Sequence, residues 1–283
     1  MSIDELGNSG RLILDCRGIP LDLATHTHIM GILNVTPDSF SDGGKYIDPE
    51  TAVERARQMV AEGADILDIG GESTRPGAAY VGEEEEIQRV VPVIQAIRGA
   101  GLACPISVDT YKAEVARQAL DAGASIINDI WGLRSDLRMA EVAAAYRCPV
   151  VIMHNRLEAV YDNLVDDVLG DLRHSIATAH AAGIDETQIV LDPGIGFAKT
   201  YEHNLKLMNY LDRIVELGYP VLLGTSRKSM VHKTLQLPPD DVVEGTASTV
   251  ALGIAQGCRI VRVHDVKAMK RVAVMTDAMI RAK

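Results

Sequence analysis

The sequence predicts an α/β protein, a (β/α)8 TIM barrel entered through a short β-hairpin, and three observations carry that prediction. Eight short apolar runs recur along the chain, at 29–33, 66–69, 106–108, 125–127, 150–153, 189–191, 221–223 and 260–263. Runs this short and unbroken mark parallel strands buried on both faces. Between them lie segments of helical spacing, and six close on a glycine (Gly63, Gly101, Gly123, Gly183, Gly218, Gly257) before the next run. A left-handed residue commonly ends a helix, and glycine adopts that conformation most readily. Finally, no linker or low-complexity stretch divides the 283 residues, and a barrel of this kind needs about 250 residues as one unit. An open doubly wound sheet is the competing architecture, but it has no reason to stop at eight units. The expected organisation is one domain over 1–283, with the hairpin at about 11–23 and the barrel at about 27–283.

Each element has a local justification. The hairpin reads as strands at 11–14 and 19–23 around a turn at Cys16-Arg17-Gly18. Asp48-Pro49 supplies an N-cap followed by proline at the first helical position, where the missing N–H costs nothing. Val53, Ala56 and Val60 then fall at i, i+3 and i+7, and Ala116, Ala119 and Leu120 at i, i+3 and i+4 in a later helix, the spacing of a buried stripe. The acidic run 83–86 opens another helix, where the positive end of the macrodipole favours it. It reads as a solvated outer surface rather than a metal site.

Composition narrows the function. A hydrophobic share of 47% supports a sizeable core and excludes general disorder. A formal net charge of −11 offers no positive field for nucleic acid or an anionic membrane, so neither is expected as a partner. The cysteines Cys16, Cys104, Cys148 and Cys258 form no CxxC or Cys/His cluster, which argues against structural zinc and for buried reduced thiols in the cytoplasm. The first ten residues lack the basic start and apolar stretch of a signal peptide, and no apolar run approaches membrane-spanning length.

In such a barrel the chemistry sits at the C-terminal ends of the strands. Just past the apolar runs come Asn34, Gly70-Gly71, Asp109, Asn128-Asp129, His154-Asn155, Asp192 and Ser226-Arg227-Lys228, and the last run contributes Arg262 and His264 on one face. Asp129 and Asp265 read as helix caps, whereas position alone leaves Asp109 open between cap and ligand. Arg262 lies inside an apolar strand, and an unpaired buried guanidinium is costly. Either an anionic ligand or an internal carboxylate must meet it. Two long loops, 34–44 and 70–77, are rich in Gly, Pro and small polar residues, the composition of segments that close over a ligand. Phe40 and Phe197, the chain's only phenylalanines, both fall at the expected mouth.

The residues of these loops carry a resemblance. Met30-Gly31-Ile32-Leu33-Asn34-Val35-Thr36-Pro37-Asp38-Ser39-Phe40-Ser41-Asp42-Gly43-Gly44 closely resembles the first signature of the dihydropteroate synthase family. Asp68-Ile69-Gly70-Gly71-Glu72-Ser73-Thr74-Arg75-Pro76-Gly77 resembles the second. Ser107-Val108-Asp109-Thr110, Asp192-Pro193-Gly194-Ile195-Gly196-Phe197 and Ser226-Arg227-Lys228-Ser229 continue the match in order, from roughly Thr27 to the last helix. The resemblance implies a (β/α)8 homodimer that joins 4-aminobenzoate to 6-hydroxymethyl-7,8-dihydropterin diphosphate in folate biosynthesis, releasing pyrophosphate.

Carried over by motif, Asp109, Asn128, Asp192 and Lys228 are expected to hold the pterin, and Arg262 and His264 the diphosphate. Asn34 is expected to help coordinate Mg²⁺ on that diphosphate. Phe40, Thr74, Arg75, Phe197 and Ser226 would form the aminobenzoate pocket, with Lys228, Arg262 and His264 closest to the chemistry. Asp68 matches a site position but is also suited to bonding loop backbone. The implied mechanism is dissociative and needs no nucleophile–base triad. One departure stands out: Met153-His154-Asn155-Arg156-Leu157 replaces the family's usual Met-His-Met-Gln-Gly type. Two alternatives compete with this reading, a methyltetrahydrofolate–corrinoid methyltransferase and an inactive pterin-binding paralogue. The first is not expected to carry both loop signatures, and the second is expected to lack Asn34, Lys228 or Arg262.

Overall fold

The computed structural model describes residues 12–36, 48–73 and 78–282. Strands β1 (Ile13–Asp15) and β2 (Pro20–Asp22) pair antiparallel. Eight parallel strands follow: β3 (His28–Asn34), β4 (Ile66–Gly70), β5 (Ile106–Asp109), β6 (Ile126–Asp129), β7 (Val150–Met153), β8 (Ile189–Asp192), β9 (Leu222–Leu223) and β10 (Ile260–Val263). They run in the order β8-β7-β6-β5-β4-β3-β10-β9, and a bridge between Leu191 and Val221 joins the two outermost strands. This is the predicted TIM barrel.

The helices alternate with the strands: α1 (Pro49–Glu62), α2 (Glu83–Gly99), α3 (Ala113–Asp121), α4 (Arg138–Tyr146) and α5 (Leu164–Ala181). After β8 come α6 (Tyr201–Met208) and α7 (Leu211–Val215), and after β9 come α8 (Ser229–Leu235) and α9 (Val243–Ala255). Helix α10 (Val266–Arg281) closes the chain. Asp48 caps α1 through the Thr51 N–H, and the six closing glycines all have φ between +76° and +114°. Helix α4 ends without one, on Arg147 at φ 49°. The stripe on α1 is one position off the expected one: Ala52, Ala56 and Met59 are buried, and Val60 is exposed.

Apolar side chains divide by strand face, as the two-residue period requires. Outward residues such as Ile29, Leu33, Leu67, Ile69, Ile106, Val108 and Val261 pack against the helices. Inward residues Met30, Ile66, Ile126, Val151, Val190, Leu222 and Ile260 fill the lower lumen, where Leu14, Cys16, Leu21 and Leu23 of the hairpin seal it. Arg17 anchors that seal, donating to the carbonyls of Leu120 (2.6 Å) and Ala124 (2.8 Å).

Several strands extend past the apolar runs that predicted them. Asn34, Asp109, Asn128, Asp129 and Asp192 belong to the strands rather than to the loops beyond. The ladder is made by backbone groups, so pairing continues where the side chains turn polar.

Candidate active site

Two residues above the apolar floor the same strands change character. Asp68 follows Ile66, Asn128 follows Ile126, Asp192 follows Val190 and Arg262 follows Ile260, each pointing into the lumen. Here Asp109, Asn128, Asp192, Phe197, Lys228 and Arg262 line a cavity, with Ile130, Met153 and Ile195 as its apolar wall. Ile130 and Met153 gave no signal in the sequence, because an apolar side chain at or just past a strand end looks like core, and Ile195 was visible only as part of its loop.

Arg262 resolves toward internal carboxylates: Nε donates to Asp68 Oδ2 and Nη2 to Asp109 Oδ2, both at 2.6 Å. Asp68, expected either as a ligand contact or as a bond to loop backbone, is fully buried between Arg262 and the Asn128 amide, which lies 3.4 Å away. It orients both neighbours. One guanidinium therefore serves two carboxylates, and Asp109 Oδ1, also buried, has no hydrogen-bond partner among the described residues. Burial raises the Asp109 carboxyl to about 7 against the pull of Arg262, with the nearby Asp68 charge adding to the rise. Asp192 is raised to about 6, again by burial first, while the Gly194 N–H donating to its Oδ1 at 2.7 Å pulls the other way.

Phe197 and Lys228 meet face to cation, with the ammonium 4.1 Å from the ring centroid, a contact that favours a fixed orientation for both. Gly196, at φ +86°, makes room for it, because a Cβ there would lie 2.8 Å from Lys228 Cδ. Ser226 pairs with His264: its Oγ is 3.0 Å from Nδ1 and accepts from the His264 backbone N–H at 3.2 Å. Asn34 ends β3 beside Gly70 of β4. Phe40, Thr74 and Arg75 lie outside the described residues.

Three expectations are corrected. Asp265 precedes α10 but makes no side-chain cap; Arg227 takes its carboxylate, at 2.8 Å from Nη2. Asp129 receives the N–H groups of Trp131 and Leu133, holding the turn after β6 rather than opening α4. The run 83–86 is not wholly surface: Glu86 is buried and, with Glu72, binds the ammonium of buried Lys112 at 2.5 Å each. Its inward position follows from the turn of α2 and could not be read from four consecutive acidic residues. Glu72 also accepts from Val81 N–H at 3.2 Å, joining the two sides of the 74–77 stretch.

A polar layer of carboxylates, an amide and two cations in the mouth of a TIM barrel defines a class, and the pterin binding enzyme family matches residues 30–264. Within that class the chain belongs to the dihydropteroate synthases, transferases of folate biosynthesis. It is 59% identical to dihydropteroate synthase of Bacillus subtilis, over 90% of this chain and 89% of that one. The Clostridium difficile enzyme, solved in the presence of pteroic acid, superposes with a TM-score of 0.90 at 49% identity, covering 92% of this chain and 99% of that one. The Xanthomonas albilineans enzyme in complex with 7,8-dihydropteroate gives 0.88 at 42% identity, covering 96% and 100%.

Proposed function

We propose that this site condenses 6-hydroxymethyl-7,8-dihydropterin diphosphate with 4-aminobenzoate through the residues of the upper lumen. The observation that carries this reading is the buried Asp109 Oδ1, which has no hydrogen-bond partner among the described residues. A buried acceptor without a donor is costly until a ligand N–H meets it, and the amino group and adjacent N–H of a pterin are such donors. Asp192 offers a second carboxylate, Asn128 an amide, and Lys228 a donor for acceptors on the ring.

Arg262 and His264 take the diphosphate. Nε and Nη2 of Arg262 each give one hydrogen to a carboxylate, so the anion is met by the remaining hydrogens of Nη1 and Nη2. Ser226 Oγ accepts from the His264 backbone N–H and lies 3.0 Å from Nδ1, holding the ring in place. In the tautomer in which Ser226 donates to Nδ1, Nε2 carries the ring proton and donates to a phosphate oxygen. Phe197 and Ser226, with Phe40, Thr74 and Arg75, form the aminobenzoate pocket, Arg75 opposing the carboxylate of that substrate.

Asn34 is the residue that would hold Mg²⁺. Asn34 Oδ1 suits this as a neutral oxygen donor, and it lies on the same side of Gly70 as Asp109 Oδ2: a Cβ on that glycine would be 3.8 Å from the first and 3.6 Å from the second. A hard cation that keeps several waters fits such a place, and when bound it neutralises diphosphate charge. As the C–O bond to the diphosphate breaks, Arg262 and His264 stabilise the pyrophosphate leaving with the bonding electrons. The electron-rich dihydropterin supports the cation on its exocyclic carbon. The amine nitrogen attacks that carbon and loses a proton. Catalysis by this chain is positioning and electrostatic preorganisation.

The chain acts as a homodimer in the cytoplasm, with these two small molecules rather than nucleic acid or membrane as its partners. Val274, Met275, Met279 and Ile280 of α10 and Leu252 of α9 are exposed and apolar, which supports pairing through the last helices. Its four cysteines are free, as suits a reducing compartment. Pyrophosphate release by the purified protein tests the reaction: it should require both 4-aminobenzoate and Mg²⁺. Release that ignores aminobenzoate, or none at all, would overturn the proposal.

A further inference from the structure

His154, just before the point at which the chain leaves the family's usual sequence, and Arg156, within the departure, are built into a relay behind the pterin cavity. His154 is fully buried, with Nε2 3.0 Å from Asp171 Oδ2 and Nδ1 2.9 Å from Lys199 Nζ. A carboxylate accepts and an ammonium donates, so this imidazole is neutral and carries its proton on Nε2. Burial, with the Lys199 charge beside it, lowers His154 to about 3, in keeping with that state. Arg156 Nε donates to the same Asp171 oxygen at 2.7 Å.

Lys199 is the centre of this arrangement. Its ammonium has three hydrogens and three neutral acceptors: His154 Nδ1, the Gly194 carbonyl at 3.0 Å and the Phe197 carbonyl at 3.1 Å. The last two belong to the loop 192–197, which carries three of the cavity's side chains, Asp192, Ile195 and Phe197. Within that loop the Gly194 N–H holds Asp192 Oδ1 at 2.7 Å and Phe197 N–H donates to Gly194 O at 3.1 Å. The fit is tight. Gly194 has φ +68°, and a Cβ there would lie 1.9 Å from the His154 carbonyl.

We propose that Lys199 is a positioning residue for the pterin, tying the 192–197 loop so that Asp192 faces the ligand, with His154 and Asp171 fixing the ammonium from behind. This rests on the pterin-binding role proposed above. Lys199 touches no reacting atom in this account and acts through Asp192. Burial lowers its ammonium to about 7, with Arg156 and Lys228 pressing the same way and Asp192 and Asp171 opposing. A cation held at that cost is retained for the three carbonyl and imidazole acceptors it satisfies.

The test is a double-mutant cycle on the dissociation constant of free 6-hydroxymethylpterin at about pH 6, where Lys199 is protonated. Lys199→Met should weaken binding roughly tenfold, and Asp192→Asn should weaken it on its own. Because Lys199 acts through Asp192, the double variant should bind no worse than Asp192→Asn alone. Circular dichroism reports that each variant is folded; should Lys199→Met fail to fold, Asp171→Asn carries the same cycle from the far end of the relay. Multiplicative losses, or wild-type affinity in the Lys199 or Asp171 variant, would overturn the inference. Both of those outcomes require a wild type that binds pterin. A wild type that binds none would instead overturn the function proposed above, and this inference with it.

Discussion

The two ends of the barrel lumen are made by the same strands and differ in almost everything else. At the lower end, seven inward residues from Met30 to Ile260 meet four from the hairpin in an apolar plug. Two residues further along, about 7 Å by the rise of a strand, Asp68, Asn128, Asp192 and Arg262 replace their aliphatic neighbours. The lower end has every reason to be stable and none to react. The upper end holds two carboxylates on one guanidinium, with one carboxylate oxygen lacking a partner among the described residues. The contrast teaches that the fold is secured by the plug and the helix-facing shell, so the polar layer can be arranged for a ligand instead of for stability.

If that division holds, damage at each end should have its own signature. The largest effect is expected below. Leu23 is fully buried in the plug, and Leu23→Ala should cost about 2–5 kcal/mol of stability by urea denaturation. Pterin affinity, measured where the variant is folded, should stay within roughly twofold of wild type. A larger loss of affinity would mean that the floor shapes the site. Next, Lys228→Ala should lower kcat/KM by roughly a hundredfold, about 2.7 kcal/mol. Its thermal midpoint should move little, because the ammonium sits in the cavity wall rather than the plug. A matching fall in stability would contradict the separation of roles.

Legibility in the sequence follows the same division. Buried parallel strands must be apolar and their helices commonly end on glycine, so strand order and the helix-facing core could be read directly. Strand ends could not, because backbone pairing carries Asn34, Asp109, Asn128 and Asp192 inside the ladder after the apolar pattern stops. Arg262 was visible as an anomaly, but its partner was not: Asp68 lies 194 residues away, and only closure of the barrel brings the two together. Lys199, one residue beyond Ala198 in a polar stretch, looks like any surface lysine. Its three acceptors come from two loops whose approach depends on Gly194. Single residues of the site were legible, whereas the residues that hold them depended on tertiary contacts.

The smallest expected effect, and the one that separates the two ends most cleanly, is that of pH. Burial raises Asp109 to about 7 and Asp192 to about 6, above the ordinary carboxylate range. An ionised carboxylate accepts two charge-assisted hydrogen bonds from the pterin N–H donors and a protonated carboxyl cannot match them, so affinity should fall as pH drops from 7 to 5, by roughly tenfold. Above about 7 the Lys199 ammonium begins to lose its proton, so the gain should level off or reverse there. The stability of the unliganded fold runs the other way. Groups whose folded pKa is raised stabilise most below their unfolded pKa, and that contribution is lost as pH rises through 6 and 7. Among the eleven plug residues, only Cys16 carries an ionisable side chain, a thiol pushed up by burial to about 12, so Leu23→Ala should shift stability equally at pH 5 and pH 7. Pterin titrations at a series of pH values, with Asp192→Asn removing the step near 6, decide the matter. An affinity that is flat from pH 5 to 7 would mean that the upper carboxylates stay ionised throughout, and that their burial does not govern ligand binding.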